Sequence, residues 1–173
     1  MERKLELKDI AVYLPYGLKI MDFESEVIYP FLGYEIDTTL TKIILYDEET
    51  DWWNLSNFKP ILRPISDLYR IITHNGKEIV PIVELANMVI NGCEFVVENC
   101  KGNNYARFGN NYFTFGRGSF LYFQIIENEN IKFDIKNQYK LFDYLHELKI
   151  DYRGLIDEGL AIDANTLDNN PYE

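Results

Sequence analysis

Basic residues are scarce in this chain, in which 17 lysines and arginines stand against 28 aspartates and glutamates, a net charge of −11. A protein that binds a phosphate backbone needs concentrated positive charge to release counterions, and no run of basic residues occurs here. The composition therefore argues against direct binding to nucleic acid or to anionic membranes. Acidity of this degree usually serves solubility. A second interpretation is an acidic surface that imitates nucleic acid and occupies a DNA-binding partner.

Cysteine and histidine, which commonly ligate metals or act in catalysis, are also few, with two of each in the chain. The two cysteines, Cys93 and Cys100, do not have a zinc spacing, so we expect two reduced thiols. His74 lies in an Asn-Gly turn, and His146 lies beside Glu147 on a predicted helix, where adjacent side chains do not face each other. We interpret both histidines as ordinary surface or half-buried residues.

Catalytic motifs are missing as well. The chain contains no Walker loop, no GxSxG, no HExxH and no EF-hand ladder. The sequence thus predicts no catalytic residue, no metal and no cofactor, and it favours a protein that is not an enzyme.

Long apolar runs are absent too, so no membrane span is predicted. The first residues have neither the apolar core nor the small-residue cleavage site of a signal peptide, and we expect a cytoplasmic protein. A chain of 173 residues can bury a substantial core. We assign residues 1–167 to a single globular domain and expect residues 168–173, which are rich in Asn and Asp, to form a frayed tail.

Aromatic residues are abundant, with 13 tyrosines and 11 phenylalanines, and this favours a sheet-rich fold. Residues 18–23, 27–36 and 41–48 are rich in β-branched and aromatic side chains and predict two or three strands. Pro30 predicts that its strand is an edge strand or is interrupted there, because proline cannot donate a ladder hydrogen bond. Residues 3–14 predict a short helix ahead of these strands.

The middle of the chain is shaped by prolines and by an Asn-Gly turn. Pro60 and Pro64 argue against a long regular element around them. We predict a helix over residues 66–72, then a turn and a short strand. The alternative is a hairpin about Asn75-Gly76, since Asn-Gly is the strongest short hairpin signal. A further helix is predicted over residues 83–91.

The tetrad Gly-Asn-Asn-Tyr occurs twice, seven residues apart, within a region that predicts a β-meander from residue 93 to residue 126. We pair residues 105–108 with residues 112–115 around a three-residue connector, Gly109-Asn110-Asn111. Because side chains alternate along a strand, this register places two sets on opposite faces. One set is Tyr105, Arg107, Phe113 and Phe115; the other is Ala106, Phe108, Tyr112 and Thr114. An exposed first set would make the hairpin a binding surface, and a covered one would make it architecture.

Residues 137–150 give the clearest amphipathic helix, with leucines at positions 141, 145 and 148 on one stripe. With the predicted strands and the other helices, it leads us to an α+β fold. We expect a mostly antiparallel sheet, or meander, packed with three to four helices.

Trp52 and Trp53 form the second candidate binding feature, because paired aromatics outside a strand are either core residues under a loop or an exposed contact patch. Core packing is the favoured interpretation. The candidate binding residues are therefore Trp52, Trp53, Tyr105, Arg107, Phe113 and Phe115.

Four stretches of the chain are distinctive when taken together: YLPYGLK (13–19), KPILRPISDL (59–68), NGKEIVPIVELA (75–86) and LFDYLHELKIDYRGLIDEGLAID (141–163). They resemble, in the same order, a group of small uncharacterised proteins encoded by phages and integrated mobile elements of Bacteroides-type gut bacteria. The resemblance is weakest over residues 92–126. It implies a small accessory protein made in a bacterial cytoplasm, and it carries no activity or site residue with it.

These observations lead to two hypotheses about function. The first is a non-enzymatic binding or interaction protein of phage or mobile-element type, whose partner is an unknown protein; an acidic decoy for a host nucleic-acid-binding or defence protein is one form of it. The alternative is a small-molecule-binding protein or enzyme with an aromatic-lined pocket.

Overall fold

The computed structural model describes residues 3–36, 41–45, 53–90, 96–100, 103–117, 121–127, 130–132, 135 and 138–173. The helices are α1 (Leu7–Ile10), α2 (Pro81–Val89) and α3 (Gln138–Glu147), with 3₁₀ helices at Ala11–Tyr16, Leu55–Asn57, Ile65–Tyr69 and Ala164–Thr166. The strands are β1 (Lys19–Asp22), β2 (Ile28–Pro30), β3 (Gly33–Ile36), β4 (Thr41–Ile44), β5 (Trp53–Asn54), β6 (Phe58–Pro64), β7 (Ile72–His74), β8 (Lys77–Ile79), β9 (Val96–Cys100), β10 (Asn103–Phe108), β11 (Asn111–Arg117), β12 (Leu121–Glu127), β13 (Asn130–Lys132), β14 (Ile150–Asp151) and β15 (Ile162–Asp163). Most of the sheet pairing is antiparallel, so the predicted α+β class is confirmed.

The chain divides into two compact units. Unit 1 comprises Met1–Ile65 and Leu145–Tyr172, and unit 2 comprises Ser66–Tyr144 with Glu173. The single domain over residues 1–167 stays a prediction, and each unit is described by itself. Within the described residues, no helix combines the length and the apolar character that a bilayer crossing requires.

The larger sheet of unit 1 has the strand order β14-β6-β1-β2, and β15 also pairs with β6. β1 is antiparallel to β2 and to β6, whereas β14 and β15 run parallel to β6. The edge strand β2 is only three residues long and ends at Pro30. The prediction of an edge or interrupted strand at Pro30 is confirmed.

The expectation that Pro60 and Pro64 exclude a long regular element is wrong. Both lie in β6, a seven-residue strand inside the sheet. β6 changes its partner along its length: Pro60 is the last residue paired with β1, and Pro64 is the last residue paired with β14. Each proline therefore lies where a pairing ends, and this is where a residue without an amide hydrogen is tolerated.

The core of unit 1 is built on the helical segment near the start of the chain. α1 continues into the 3₁₀ helix Ala11–Tyr16, which ends at Gly17 with a φ of 72°. Ile10 and Tyr13 are fully buried with the strand residues Ile20 and Leu62. The hydroxyl of Tyr13 donates to the carbonyl oxygen of Ile150 at 3.0 Å. This satisfies its polar group inside the core.

Tyr172 lies within the segment that the sequence predicts to fray, and the structure holds it in place. Its hydroxyl donates to the carbonyl oxygen of Ile61 at 2.8 Å and accepts the amide of Lys19 at 3.0 Å. The Arg63 guanidinium also donates to its carbonyl oxygen at 3.1 Å. The Tyr172 hydroxyl thus satisfies one backbone carbonyl of β6 and one backbone amide of β1.

Unit 2 contains the β7–β8 hairpin, α2 and a five-stranded meander with the order β13-β12-β11-β10-β9. The predicted meander and the predicted helix over residues 83–91 are confirmed. The helix predicted over residues 66–72 is wrong beyond Tyr69, because β7 begins at Ile72 and pairs with β8. Asn75 and Gly76 both have positive φ, as a two-residue type I′ hairpin turn requires, so the alternative hairpin is the correct one.

Candidate functional site

The hairpin that contains the Gly-Asn-Asn-Tyr repeat has a tighter turn than the sequence predicts. Phe108 pairs with Asn111, which leaves only Gly109 and Asn110 as connecting residues. Gly109 has a φ of 57°, the left-handed conformation that favours glycine at the first position of such a turn. The three-residue connector is therefore wrong, and the register is shifted by one residue.

A one-residue shift moves every side chain of one strand to the other face. In the observed register Arg107 lies opposite Tyr112, and Ala106 lies opposite Phe113. The predicted common face of Tyr105, Arg107, Phe113 and Phe115 is thus wrong. Tyr105 and Arg107 share a face with Tyr112, whereas the two phenylalanines lie on the opposite face.

Phe113 and Phe115 belong to the packing of unit 2. Phe113 is fully buried and its ring stacks on Phe123 at a centroid distance of 5.6 Å. Phe115 lies 5.0 Å from the Phe123 ring and 6.3 Å from the Phe142 ring of α3. Since these rings fill one face of the meander, neither is placed to meet a partner at the surface.

The opposite face carries Tyr105, Arg107 and Tyr112, together with Val96 and Glu98 of β9. The rings of Tyr105 and Tyr112 meet edge to face at 4.9 Å. Arg107 donates from Nε to Oε1 of Glu98 at 2.7 Å and from Nη1 to the carbonyl oxygen of Gly109 at 3.2 Å. We call these five side chains, Val96, Glu98, Tyr105, Arg107 and Tyr112, the hairpin patch.

The other half of this face is covered by Tyr69. The Tyr69 hydroxyl hydrogen bonds with the Thr114 side chain and the Phe115 backbone. Burial raises the pKa of Tyr69, and the two hydrogen bonds partly offset that rise. Gln124, which lies opposite Thr114, has a buried Oε1. The Thr114 end of this face is therefore covered, whereas Val96 at the hairpin patch is exposed.

Exposed apolar side chains border the hairpin patch on both faces of the sheet. Val96 is 52% exposed within the patch, and on the opposite face Val97 and Phe108 are 36% and 40% exposed. β9 is an end strand of the meander in the part of the chain that the structure describes. Two exposed valines on one edge strand are a surface that soluble proteins ordinarily protect.

Trp52 lies outside the described residues. Trp53 is described only as a backbone position in β5, where it pairs with Ile43 of β4. The expectation that both tryptophans lie outside a strand is therefore wrong for Trp53.

The histidines have local partners, and the described residues contain no group of three or more side chains that could hold a metal ion. His74 Nε2 lies 3.0 Å from the side-chain nitrogen of Asn75, and His146 Nε2 lies 2.7 Å from the Tyr152 hydroxyl. These contacts are of the kind that orient side chains within a fold.

Sequence reasoning missed Glu98 and Tyr112 as members of the site because both follow from the register. The available signal was Gly109-Asn110 itself, since Gly followed by Asn is typical of a two-residue hairpin turn.

No protein-family model, curated protein or solved structure matches the chain. The case for function therefore rests on the geometry of the surface.

Proposed function

We propose that this chain is a non-enzymatic interaction protein that holds a partner protein through the hairpin patch and the adjoining edge of β9. The observation that carries the proposal is the exposure of three apolar side chains at this edge of the meander, with Val96 on the face of Tyr105 and Arg107 and with Val97 and Phe108 on the opposite face. Tyrosine and arginine are enriched at the centres of protein interfaces. Exposed apolar side chains grouped at the edge of a sheet are typical of a binding surface.

The charge of the patch supports a protein partner over a nucleic acid. Arg107 is the only cation among the five side chains of the hairpin patch, and it is ion-paired with Glu98. A nucleic-acid platform with aromatic rings also needs free positive charge along the backbone path. The hairpin patch is neutral, so it suits an apolar and uncharged counterpart.

The edge of β9 supports a particular mode of binding. Val96 and Val97 point to opposite faces of the same edge strand, so a partner packed on one face covers only one of them. An extended segment of the partner that pairs with β9 covers both, through main-chain hydrogen bonds and side-chain contacts on each face. We propose that the partner supplies such a segment.

The biological setting is also part of the proposal. It rests on the resemblance of four stretches of the chain to proteins of phages and mobile elements of Bacteroides-type bacteria. In that setting the chain acts in the bacterial cytoplasm as a small accessory protein, and its partner is a protein of the host or of the element.

An acidic decoy is a subsidiary form of the proposal, and the charge distribution favours unit 1 for it. Unit 1 holds 18 acidic and 9 basic residues, a net charge of −9, whereas unit 2 holds 10 and 8, a net charge of −2. A decoy would therefore use the carboxylates of unit 1. Its partner would be a DNA-binding protein that duplex DNA displaces.

The test is affinity purification of the tagged chain from element-bearing cells, with mass spectrometry of the bound proteins. The variants Val96→Lys and Tyr105→Ala alter the hairpin patch, and Ile71→Lys and Tyr139→Ala are matched controls at exposed apolar positions of unit 2. We expect one partner that wild type and both controls retain and that both patch variants lose by at least about tenfold.

A partner that all four variants retain equally would refute the hairpin patch as the binding surface. If duplex DNA then displaces that partner, the decoy form in unit 1 replaces it. Circular dichroism of each variant verifies that its fold is intact.

A further inference from the structure

Unit 1 contains a cavity of about 460 Å³ whose lining differs in character from the rest of this acidic chain. The lining comes from the segment before and within α1, from the end of β5 through the start of β6, and from two single residues. These residues are Arg3, Lys4, Leu5, Glu6, Leu7, Phe23, Asn54, Leu55, Ser56, Phe58, Lys59 and Leu160. The volume is within the range of small-molecule sites, roughly 300–1,000 Å³.

The floor of the cavity is apolar and fixed. Leu55 and Phe58 belong to the buried core of unit 1, and Leu5, Leu7 and Leu160 pack against that core. A floor anchored in the core keeps its shape without a ligand, which lowers the cost of ordering the site on binding. It suits the apolar body of a small molecule.

The rim of the cavity is cationic. The cations of the lining are Arg3, Lys4 and Lys59, and Glu6 is its single carboxylate. Glu6 is ion-paired with Lys8, and this hydrogen bond lowers the pKa of Glu6. The one negative charge on the rim is therefore already balanced from outside the cavity.

Arg3 already has carboxylate partners, because its guanidinium donates to Asp9 at 2.7 Å and to Glu158. Lys4 and Lys59 differ from it. Among the carboxylates that the structure describes, none forms an ion pair with either lysine. The Lys59 ammonium lies 5.0 Å from the centroid of the Phe23 ring, which holds it at the cavity.

The uncharged polar side chains at the cavity, Asn54 and Ser56, hydrogen bond within their own loop. Asn54 accepts the amide of Ser56 through Oδ1 at 3.0 Å, and Ser56 donates its hydroxyl to Asn57 at 3.2 Å. The charge available to a ligand is therefore that of the two lysine ammonium groups.

We propose that this cavity binds a small amphipathic anion, a molecule with an apolar body and one carboxylate. The apolar body lies on the leucine and phenylalanine floor, and the carboxylate accepts hydrogen bonds from Lys4 and Lys59. This site lies within unit 1 and is independent of the hairpin patch.

The test uses octanoate and octylammonium, which share an apolar tail and carry opposite charges. Isothermal titration of the full chain is expected to show octanoate binding at least about tenfold more tightly than octylammonium. Lys59→Met keeps the apolar stem and removes the charge, and we expect it to weaken octanoate binding about tenfold. The matched control is Lys77→Met, an exposed lysine of β8 in unit 2, which should bind octanoate as wild type does.

Leu160→Trp fills the cavity and should abolish octanoate binding, with thermal unfolding used to verify that the variant is folded. Equal binding of the two probes, equal effects of Lys59→Met and Lys77→Met, or full binding by a folded Leu160→Trp variant would each overturn the proposal. The Val96→Lys variant should bind octanoate normally. Loss of the protein partner and loss of octanoate binding are therefore separate results.

Discussion

Arg107 and Glu98 form a diagonal ion pair across β9 and β10, with Nε of Arg107 2.7 Å from Oε1 of Glu98. Glu98 itself lies opposite Tyr105, and Arg107 lies opposite Val96. The two side chains are 39% and 36% exposed, so water screens the pair substantially. The pair makes the hairpin patch neutral and holds the guanidinium beside Tyr105 and Tyr112.

Because the pair is partly exposed, we predict a small contribution to the free energy of unfolding. A double-mutant cycle with Arg107→Met, Glu98→Gln and the double variant should give a coupling energy of about 0.2–1 kcal/mol in urea unfolding. A coupling energy above about 2 kcal/mol would mean that the pair is shielded from water, contrary to its observed exposure.

The register of the hairpin gives the second prediction. Phe113 is fully buried and stacked on Phe123, so Phe113→Ala should lower the free energy of unfolding by about 3–5 kcal/mol. Phe108 is 40% exposed, so Phe108→Ala should cost less than about 1 kcal/mol. Urea unfolding of both variants is the measurement. With a three-residue connector Phe113 would share the face of Arg107, and Phe113→Ala would then cost no more than Phe108→Ala.

The elements that the sequence predicts correctly are those whose structure is determined by residues close together in the chain. The leucine stripe of α3, the spacing of α2 and the alternation within the meander all reflect periodicities that the sequence carries directly. The same is true of Pro30, whose missing amide hydrogen restricts it to an edge.

The error at β6 arose because distant residues decide the structure there. β6 accommodates Pro60 because its partner changes from β1 to strands near the end of the chain, which no local pattern reveals. The hairpin register depended on a choice between a two-residue and a three-residue turn, and a shift of one residue was enough to separate Arg107 from Phe113. The cavity of unit 1 joins segments more than a hundred residues apart, such as Leu5 and Leu160, so no local pattern indicates it.

The third prediction concerns Asp151, a buried carboxylate that organises the turn after β14. Its Oδ1 accepts the amide of Gly154 at 2.8 Å, and its Oδ2 accepts the amide of Ile156 at 2.7 Å. Asp151→Asn replaces one acceptor with a donor that faces an amide. We expect a loss of about 1–3 kcal/mol in the free energy of unfolding, measured by urea unfolding.

The exposed carboxylate Asp157 provides the matched control, since Asp157→Asn should change stability by less than about 0.5 kcal/mol. Equal stability of the two variants would contradict the bonding role of Asp151.

The fourth prediction concerns unfolding in alkali. Burial raises the pKa of both Tyr13 and Tyr172 in the folded chain, whereas an unfolded tyrosine ionises near pH 10. A raised pKa in the folded state contributes stability that is complete below about pH 10 and is lost as the pH rises through the folded pKa. Burial lowers the pKa of Lys149. The contribution of Lys149 to the free energy of unfolding therefore rises with pH up to its unfolded pKa of about 10.4. Above that pH the tyrosines dominate, so the free energy of unfolding should fall.

Tyr172→Phe isolates one of these contributions. The variant loses the hydrogen bonds to Ile61 and Lys19, so at pH 7 we expect it to be less stable by about 1–3 kcal/mol. Between about pH 10 and 11 its stability should decline less steeply than that of wild type, because one raised tyrosine pKa has been removed. Urea unfolding at pH 7, 10 and 11 measures both effects. An alkaline slope equal to that of wild type would mean that Tyr172 ionises as it does in the unfolded chain, and that its buried hydroxyl contributes nothing to the alkaline limit of the fold.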